Sequence, residues 1–297
     1  HTVQARCDGL VWCFSRSFRD YSTIFETKSF RPNHSRMNLS KPLRISIAGT
    51  GKVAQALGRA WKNGGVEIVE VWGRSQDRTQ ELGRKLNAVV VNDLGTISTD
   101  IDAVAVLVSD DAISQVAQSL PNNVKRFHAS GVTDRDVLGG ENGVAWPIKS
   151  FSSDTHEEDL TDVPFAVEAG SKEFESILNR LVTESGGTPF DAPSKTRAKI
   201  HLAAVFTHNF SNHCLALSQQ ILDEEGLPKD LMRPLAEGLM EGAKSGDSFS
   251  LQTGVALRKD LGSQMKHLEL LKGFSNNKEL TEFYKFVSKH IADSHEL

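Results

Sequence analysis

Cysteine is scarce in this chain. Cys7, Cys13 and Cys214 are the only three among 297 residues, and two of them fall in the N-terminal tail. So few thiols cannot build a disulfide framework or a zinc site, and a reducing, cytoplasmic setting is expected. No H-E-x-x-H pair or Cys cluster is present, so no metal is expected. Nor does one sign of charge dominate: 34 Lys and Arg stand against 38 Asp and Glu, a net charge of −4. Without an extended basic face, nucleic-acid binding is excluded as the main activity. No apolar run is long enough to span a bilayer, and no membrane partner is expected.

Two catalytic and phosphate motifs are missing as well. A P-loop would need Gly where Ser46 stands and Ser or Thr where Val53 stands. A nucleophile elbow at Ser130 would need Gly in place of His128. What is present is more specific. Residues 45–58 read I-S-I-A-G-T-G-K-V-A-Q-A-L-G, an apolar strand running through Gly49, Thr50, Gly51 and Lys52 into a helix that opens at Val53 and Ala54. This is the dinucleotide fingerprint G-x-G-x-x-G/A in the strand–turn–helix setting it requires. Gly49 permits the sharp turn, Gly51 lets backbone approach a pyrophosphate, and Ala54 lets the helix sit close to the strand. The helix N-terminus offers unpaired N–H groups and a partial positive charge to the phosphates.

The flanks support it. Val53, Ala56, Leu57, Ala60 and Trp61 recur at helical spacing, the helix stops at Asn63-Gly64-Gly65, and a second strand follows from Val66 to Trp72. That strand ends in Arg74 and Ser75, with Arg78 one turn on. An NAD site usually carries a carboxylate there, whereas a guanidinium and a hydroxyl suit the 2′-phosphate of NADP. A solvated surface arginine is the bland alternative, and NADP is the expected cofactor.

Further strands are expected over 88–91, 103–108, 124–127, 143–152 and 163–170, with a last short one after Gly186 and helices over 76–86 and 173–183. The run Ala103–Val108 has the continuous apolar character of a strand buried on both faces. It delivers Ser109 and Asp110 to the carboxyl edge, near the nicotinamide half of the cofactor, although Asp110 would serve equally as a helix-capping acid. The next strand delivers His128 and Ser130 to the same edge, where both are candidates to touch the substrate.

Beyond Ser194 the pattern is helical throughout: one long helix with Ser194 as its expected N-cap, running to about Glu225, then helices over 230–243, 258–272 and 278–292. On the long helix Arg197, His201, His208 and Asn212 fall on one side with Asn209 beside them. Hydride transfer asks a protein for positioning and one group to handle a proton. His201 can be that acid and Asn209 can hold a substrate carbonyl or carboxylate. Polar side chains paired across a subunit interface are the alternative. Apolar residues cover more of this helix than one core face needs, and a homodimer through the helical region is expected.

The expected organisation is therefore α/β. A basic, Ser-rich extension over 1–36 is read as disordered, as translated upstream sequence or, less readily, as an organelle-type presequence. A Rossmann NADP-binding domain with a doubly wound, mostly parallel sheet spans 37–193, and an all-helical substrate and dimerisation domain spans 194–297.

Several motifs carry a resemblance: Ile47–Ala54, His128-Ala-Ser-Gly131, Trp146-Pro-Ile-Lys-Ser-Phe151, Arg197–His213 and Gln252–Asp260. Together they resemble a bacterial family that joins a Rossmann-like NADP-binding domain to a C-terminal helical domain of unknown function. The chain departs from its pattern at Trp146, Lys149 and Val255, where Tyr, Gln and Pro are usual. The family is similar to pyrroline carboxylate reductase, ketopantoate reductase, deazaflavin-dependent NADP oxidoreductases and hydroxyacid dehydrogenases. The resemblance implies an oxidoreductase scaffold and supplies no substrate. Expected, then, is an NADP(H)-dependent oxidoreductase of a small carbonyl, imine or hydroxy-acid-like substrate. The alternative is a non-catalytic NADP-binding protein whose helices engage a partner.

Overall fold

A computed structural model describes residues 41–151 and 159–295, and the backbone of two short strands, β1 (Gln4–Cys7) and β2 (Leu10–Cys13), which pair antiparallel. The rest of the expected 1–36 extension lies outside the described residues, as does the end of the strand expected to reach 152.

From residue 41 the chain alternates. The order is β3 (Arg44–Ala48), α1 (Lys52–Asn63), β4 (Glu67–Trp72), α2 (Gln76–Leu86), β5 (Val89–Val90), β6 (Ala103–Val106) and α3 (Asp110–Gln118). Then come β7 (Arg126–His128), β8 (Asn142–Pro147), β9 (Pro164–Ala169), α4 (Lys172–Glu184) and β10 (Thr188–Asp191). Eight strands form one sheet in the order β10-β9-β8-β7-β6-β3-β4-β5. All neighbours are parallel except β8 and β9, which run antiparallel with Val144 opposite Glu168. The fold is thus a doubly wound Rossmann sheet, mostly parallel, followed by a helical region.

Strand alternation decides which helix covers which face. Ile45, Ile47, Ala105, Phe127 and Ala145 face one way, into a core completed by Leu57 and Trp61 of α1, Leu82 and Leu86 of α2, and Phe174, Leu178 and Leu181 of α4. The Trp61 indole N–H donates to the Leu181 carbonyl at 3.1 Å, joining α1 to α4. The opposite residues, Ala48, Val104 and Val106, meet Ile113, Val116 and Ala117 of α3. Farther along this second face, Val144, Trp146 and Ala166 are covered by Ile200 and Ala204 of α5 (Ser194–Ala204). The first helix after the α/β part is therefore a cover of the sheet.

The single long helix expected over 194–225 is interrupted. A π-helical turn, Val205–Phe210, separates α5 from α6 (Ser211–Glu224). Pro193, and not Ser194, occupies the cap position of α5; Ser194 instead hydrogen-bonds the Asp134 side chain. Beyond α6 come α7 (Arg233–Ala243), α8 (Leu261–Leu271) and α9 (Asn277–Ser294). Asp260 caps α8 by accepting the Ser263 backbone N–H at 3.0 Å, and α8 meets α9 through a His267–Tyr284 hydrogen bond of 2.8 Å.

Candidate functional site

In an open parallel sheet, ligands sit outside the carboxyl ends of the strands where the order reverses. Here the reversal falls between β3 and β6. A cavity of about 740 Å³ opens there, lined by the ends of β3, β4, β6 and β7. It brings together Gly49, Thr50, Gly51, Lys52, Val53, Arg74, Ser75, Arg78, Ser109, Asp110 and Ser130, all but Arg78 named above as cofactor or catalytic candidates.

The two glycines do different work. Gly49 has φ +138°, and a Cβ there would lie 2.1 Å from the Leu107 carbonyl oxygen, so the turn after β3 can only be glycine. Gly51 has ordinary extended backbone, and a Cβ on it would meet nothing within 4 Å. Its missing side chain leaves space beside the N-terminus of α1, which has no side-chain cap and no acid in its first turn. Those free N–H groups, with exposed Lys52, suit a pyrophosphate. Ala54 is buried against the sheet, as the fingerprint requires.

At the far end of the cleft, Arg74 and Arg78 are exposed and have no carboxylate partner among the described residues. Ser75 stands at the cap position of α2, its hydroxyl making no cap bond. Two guanidiniums and a hydroxyl at a helix N-terminus are able to hold a phosphate dianion. Ser109 occupies the equivalent cap position of α3, also without a side-chain cap bond, and Asp110 opens that helix.

The other end is built by the loop after β7. His128 is fully buried and does not line the cavity. Its Nδ1 accepts the Ser130 backbone N–H at 3.1 Å, and Nε2 lies 3.3 Å from the Asp134 carbonyl, which fixes the proton on Nε2. Burial, with the Arg197 charge nearby, pushes this imidazole down to about 4, so it is neutral at pH 7. The structure thus leaves His128 no face on which to meet a substrate; its ring shapes the loop. Ser130 does line the cleft, but its Oγ accepts the Val132 and Thr133 N–H groups and bonds the Thr133 hydroxyl at 2.9 Å.

His201 reaches the same loop from α5. It is half-buried, its ring 5.5 Å from that of Trp146. A Cβ on Gly131 would lie 2.5 Å from His201 Cδ2 and 2.8 Å from the Trp146 indole, so the loop approaches both rings because residue 131 is glycine. Trp146 and Gly131 were not singled out from sequence as site residues. The signal available was only that Trp146 ends a strand inside a recognisable motif.

Asn209 is exposed and sits in the π turn. A π turn closes i→i+5 hydrogen bonds and so accommodates one extra residue; the Ser211 hydroxyl bonds the Phe206 carbonyl five residues back. Side chains beyond the turn take the direction the preceding residue would have in an unbroken helix. Asn209 falls in line with His201 in place of His208, and His213 replaces Asn212. The stripe Arg197–His201–His208–Asn212 read for a straight helix is corrected accordingly. Among the described residues no group of His, Cys, Asp and Glu could hold a metal ion, and no helix is long and apolar enough to cross a membrane.

Fold and cleft define an NAD(P)-binding oxidoreductase scaffold, and comparison with known proteins agrees. Residues 43–128 match the oxidoreductase family with an NAD-binding Rossmann fold, and residues 163–291 match a domain of unknown function, DUF2520. Among solved structures, a proposed NADP oxidoreductase from Bacteroides fragilis is 28% identical with a TM-score of 0.75, over 85% of this chain and 98% of that one. A protein from Thermotoga maritima is 24% identical with a TM-score of 0.63, over 85% and 100%. The 1-pyrroline-5-carboxylate reductase of Streptococcus pyogenes, 16% identical with a TM-score of 0.56 over 84% and 100%, shares the fold. Among curated proteins none matches this sequence.

Proposed function

We propose that this protein is an NADP(H)-dependent reductase or dehydrogenase of a small carbonyl, imine or hydroxy-acid-like compound. One observation carries the reading: a single cleft runs from the exposed Arg74 and Arg78, past the Gly51 opening, to a loop on which His201 rests. Arg74, Arg78 and Ser75 would hold the 2′-phosphate, the α1 N-terminus the pyrophosphate, and Ser109 and Asp110 the ribose or amide nearer the reacting end. A bound reduced nicotinamide would supply the hydride. His201 gives a proton to the substrate's oxygen or nitrogen and, being half-buried, regains one from solvent. Trp146 holds that ring in place and keeps water from one side of it. Asn209, brought into line by the π turn, orients the substrate's polar end. Ser130 and His128 hold the loop in shape.

The same reading makes the active form a homodimer through the helical region. Leu202, Phe206, Leu235, Leu239, Met240 and Leu270 are among the large apolar side chains left exposed there. Large apolar side chains left exposed in one region support an interface there, and each one buried would contribute about 1.5–3 kcal/mol.

The cofactor assignment is tested without a substrate. Fluorescence titration of Arg74→Ala should show NADPH weakened by about ten- to a hundredfold, since a charge-assisted bond contributes roughly 1.5–3 kcal/mol. NADH, lacking the phosphate, should bind native protein more weakly and change little. Native preference for NADH, or equal effects on both cofactors, would refute it. Consumption of NADPH with a panel of small cyclic imines, ketones and 2-oxo acids then tests catalysis, and His201→Gln should remove whatever turnover is found.

A further inference from the structure

Arg197 is among the largest fully buried side chains of the molecule, at 0% exposure. A guanidinium in that position must be satisfied, and its partners come from three separate segments. Nη1 donates to Glu168 Oε2 of β9 at 2.5 Å and lies 3.4 Å from the Ala192 carbonyl after β10. Nη2 donates to the Thr133 carbonyl in the loop after β7 at 2.7 Å. Glu168 is itself held from the other side by Arg135 at 3.7 Å. Nε, equally buried, has no hydrogen-bond partner among the described residues. The arrangement is poor as a device for stability alone, because an apolar pair of similar volume often serves a core as well or better. It is effective as a ruler. The guanidinium is a rigid planar fork whose arms address different acceptors at fixed separation.

What the ruler measures follows from the helix. His201 is one turn beyond Arg197, on the same side of α5. The arm on Thr133 reaches a residue whose N–H and hydroxyl both bond the Ser130 Oγ. One side chain therefore fixes both sides of the contact at which His201 meets Gly131 and Trp146. We propose that Arg197 is the positioning residue of this site, its two arms on Glu168 and Thr133 setting the register of His201 over the 130–133 loop. The proposal rests on the reading of this cleft as the reaction site; the placement of His201 is measurable without that reading. Lysine cannot substitute, since a single ammonium on a flexible stem can hold Glu168 but not span to Thr133 as well.

Two variants test it. Arg197→Lys keeps the charge and loses the fork; Arg197→Met with Glu168→Gln removes both charges, so that neither is left buried alone. The readout is the ring-current shift that Trp146 imposes on the His201 imidazole protons, assigned by their disappearance in His201→Gln. Both variants should fold by circular dichroism and bind NADPH within about twofold of native, the phosphate end of the cleft being remote. In both, the His201 resonances should move to those of an unstacked imidazole. Gly131→Ala, which drives a methyl against the same ring, should move them with Arg197 intact. Unshifted His201 resonances in folded variants, or failure of both variants to fold, would overturn the proposal and leave Arg197 a packing residue. The acid role fails separately. If His201→Gln retains NADPH-dependent turnover while Arg197→Lys still displaces the ring, the positioning stands and the acid lies elsewhere.

Discussion

Ile45, Ile47 and Phe127 of the sheet and Leu57 of the helix covering it are wholly buried, while Leu235, Leu239, Phe206 and Phe286, no less apolar, are 72%, 62%, 61% and 67% exposed in the helical region. Beyond Ala204 the buried apolar side chains among the described residues are Leu222, Ala256, Leu271 and Leu280, four contributions to a core from about ninety residues. The sheet is closed on both faces by helices of its own chain, α1, α2 and α4 on one and α3 and α5 on the other. Among the described residues the helices past the π turn find no such cover. The difference shows that apolar content alone does not place a residue inside. A strand pleat sends alternate side chains to two faces that nearby connections cover automatically, whereas these helices carry apolar side chains on more sides than their own neighbours cover.

The largest expected effect breaks the sheet half alone. Gly49→Ala places a methyl 2.1 Å from the Leu107 carbonyl at a φ of +138°. It should cost about 4 kcal/mol or more, since strained backbone and backbone overlap combine. Thermal melting checks this against Gly51→Ala, which meets no protein atom and should keep the native melting temperature while losing NADPH binding. Equal melting of the two would contradict the turn described for β3. Next comes the helical half. Leu239→Asp should weaken self-association by about a hundredfold, the loss of one buried Leu and the burial of a charge contributing roughly 3 kcal/mol. Light scattering should then show monomer that still binds NADPH; native protein that is monomeric at micromolar concentration would remove the dimer.

A smaller effect tests how completely the sheet body satisfies its own polar groups. His128 is neutral in the fold, its imidazole pushed from 6.5 to about 4 by burial. The unfolded chain therefore binds more protons than the native one between those values, and stability falls as pH drops from about 6.5 toward 4. The group accounts for about 2–3 kcal/mol of that loss. The slope of unfolding free energy against pH should flatten over this window in His128→Gln, whatever the variant's absolute stability. An unchanged slope would mean the ring is accessible to solvent protons.

Much of the α/β half was legible because its signals are local. A glycine that alone can turn, an apolar run too continuous for a helix face and a second strand ending in Arg74 each act over a few residues. Several features were not. The antiparallel pairing of β8 with β9 depends on a connection whose direction no residue announces. The burial of His128 depends on Asp134 and Arg197 arriving from elsewhere, so a histidine at a strand's carboxyl end read as a substrate contact. The π turn reversed which of His208 and Asn209 shares a side with His201. Periodicity shows where apolar residues recur; it does not show that one residue has been taken up by a wider turn. Ser194 carried the chemistry of a cap, yet Pro193 stands there, and the hydroxyl found the Asp134 carboxylate instead. That bond, after the stronger one from the Asp136 N–H, holds Asp134 below the usual carboxylate range.

The hydrogen bond from Trp61 to Leu181 spans 120 residues. During synthesis at roughly 5–20 residues per second, α1 leaves the ribosome on the order of ten seconds before α4 exists to receive its indole. Over that interval the first β-α-β unit holds its cofactor glycines already in sequence but lacks the wall that closes its core. A fragment ending at residue 128, where the first family match stops, is consequently a nucleotide-binding motif without a complete hydrophobic face. The nascent chain must pass through that state each time it is made.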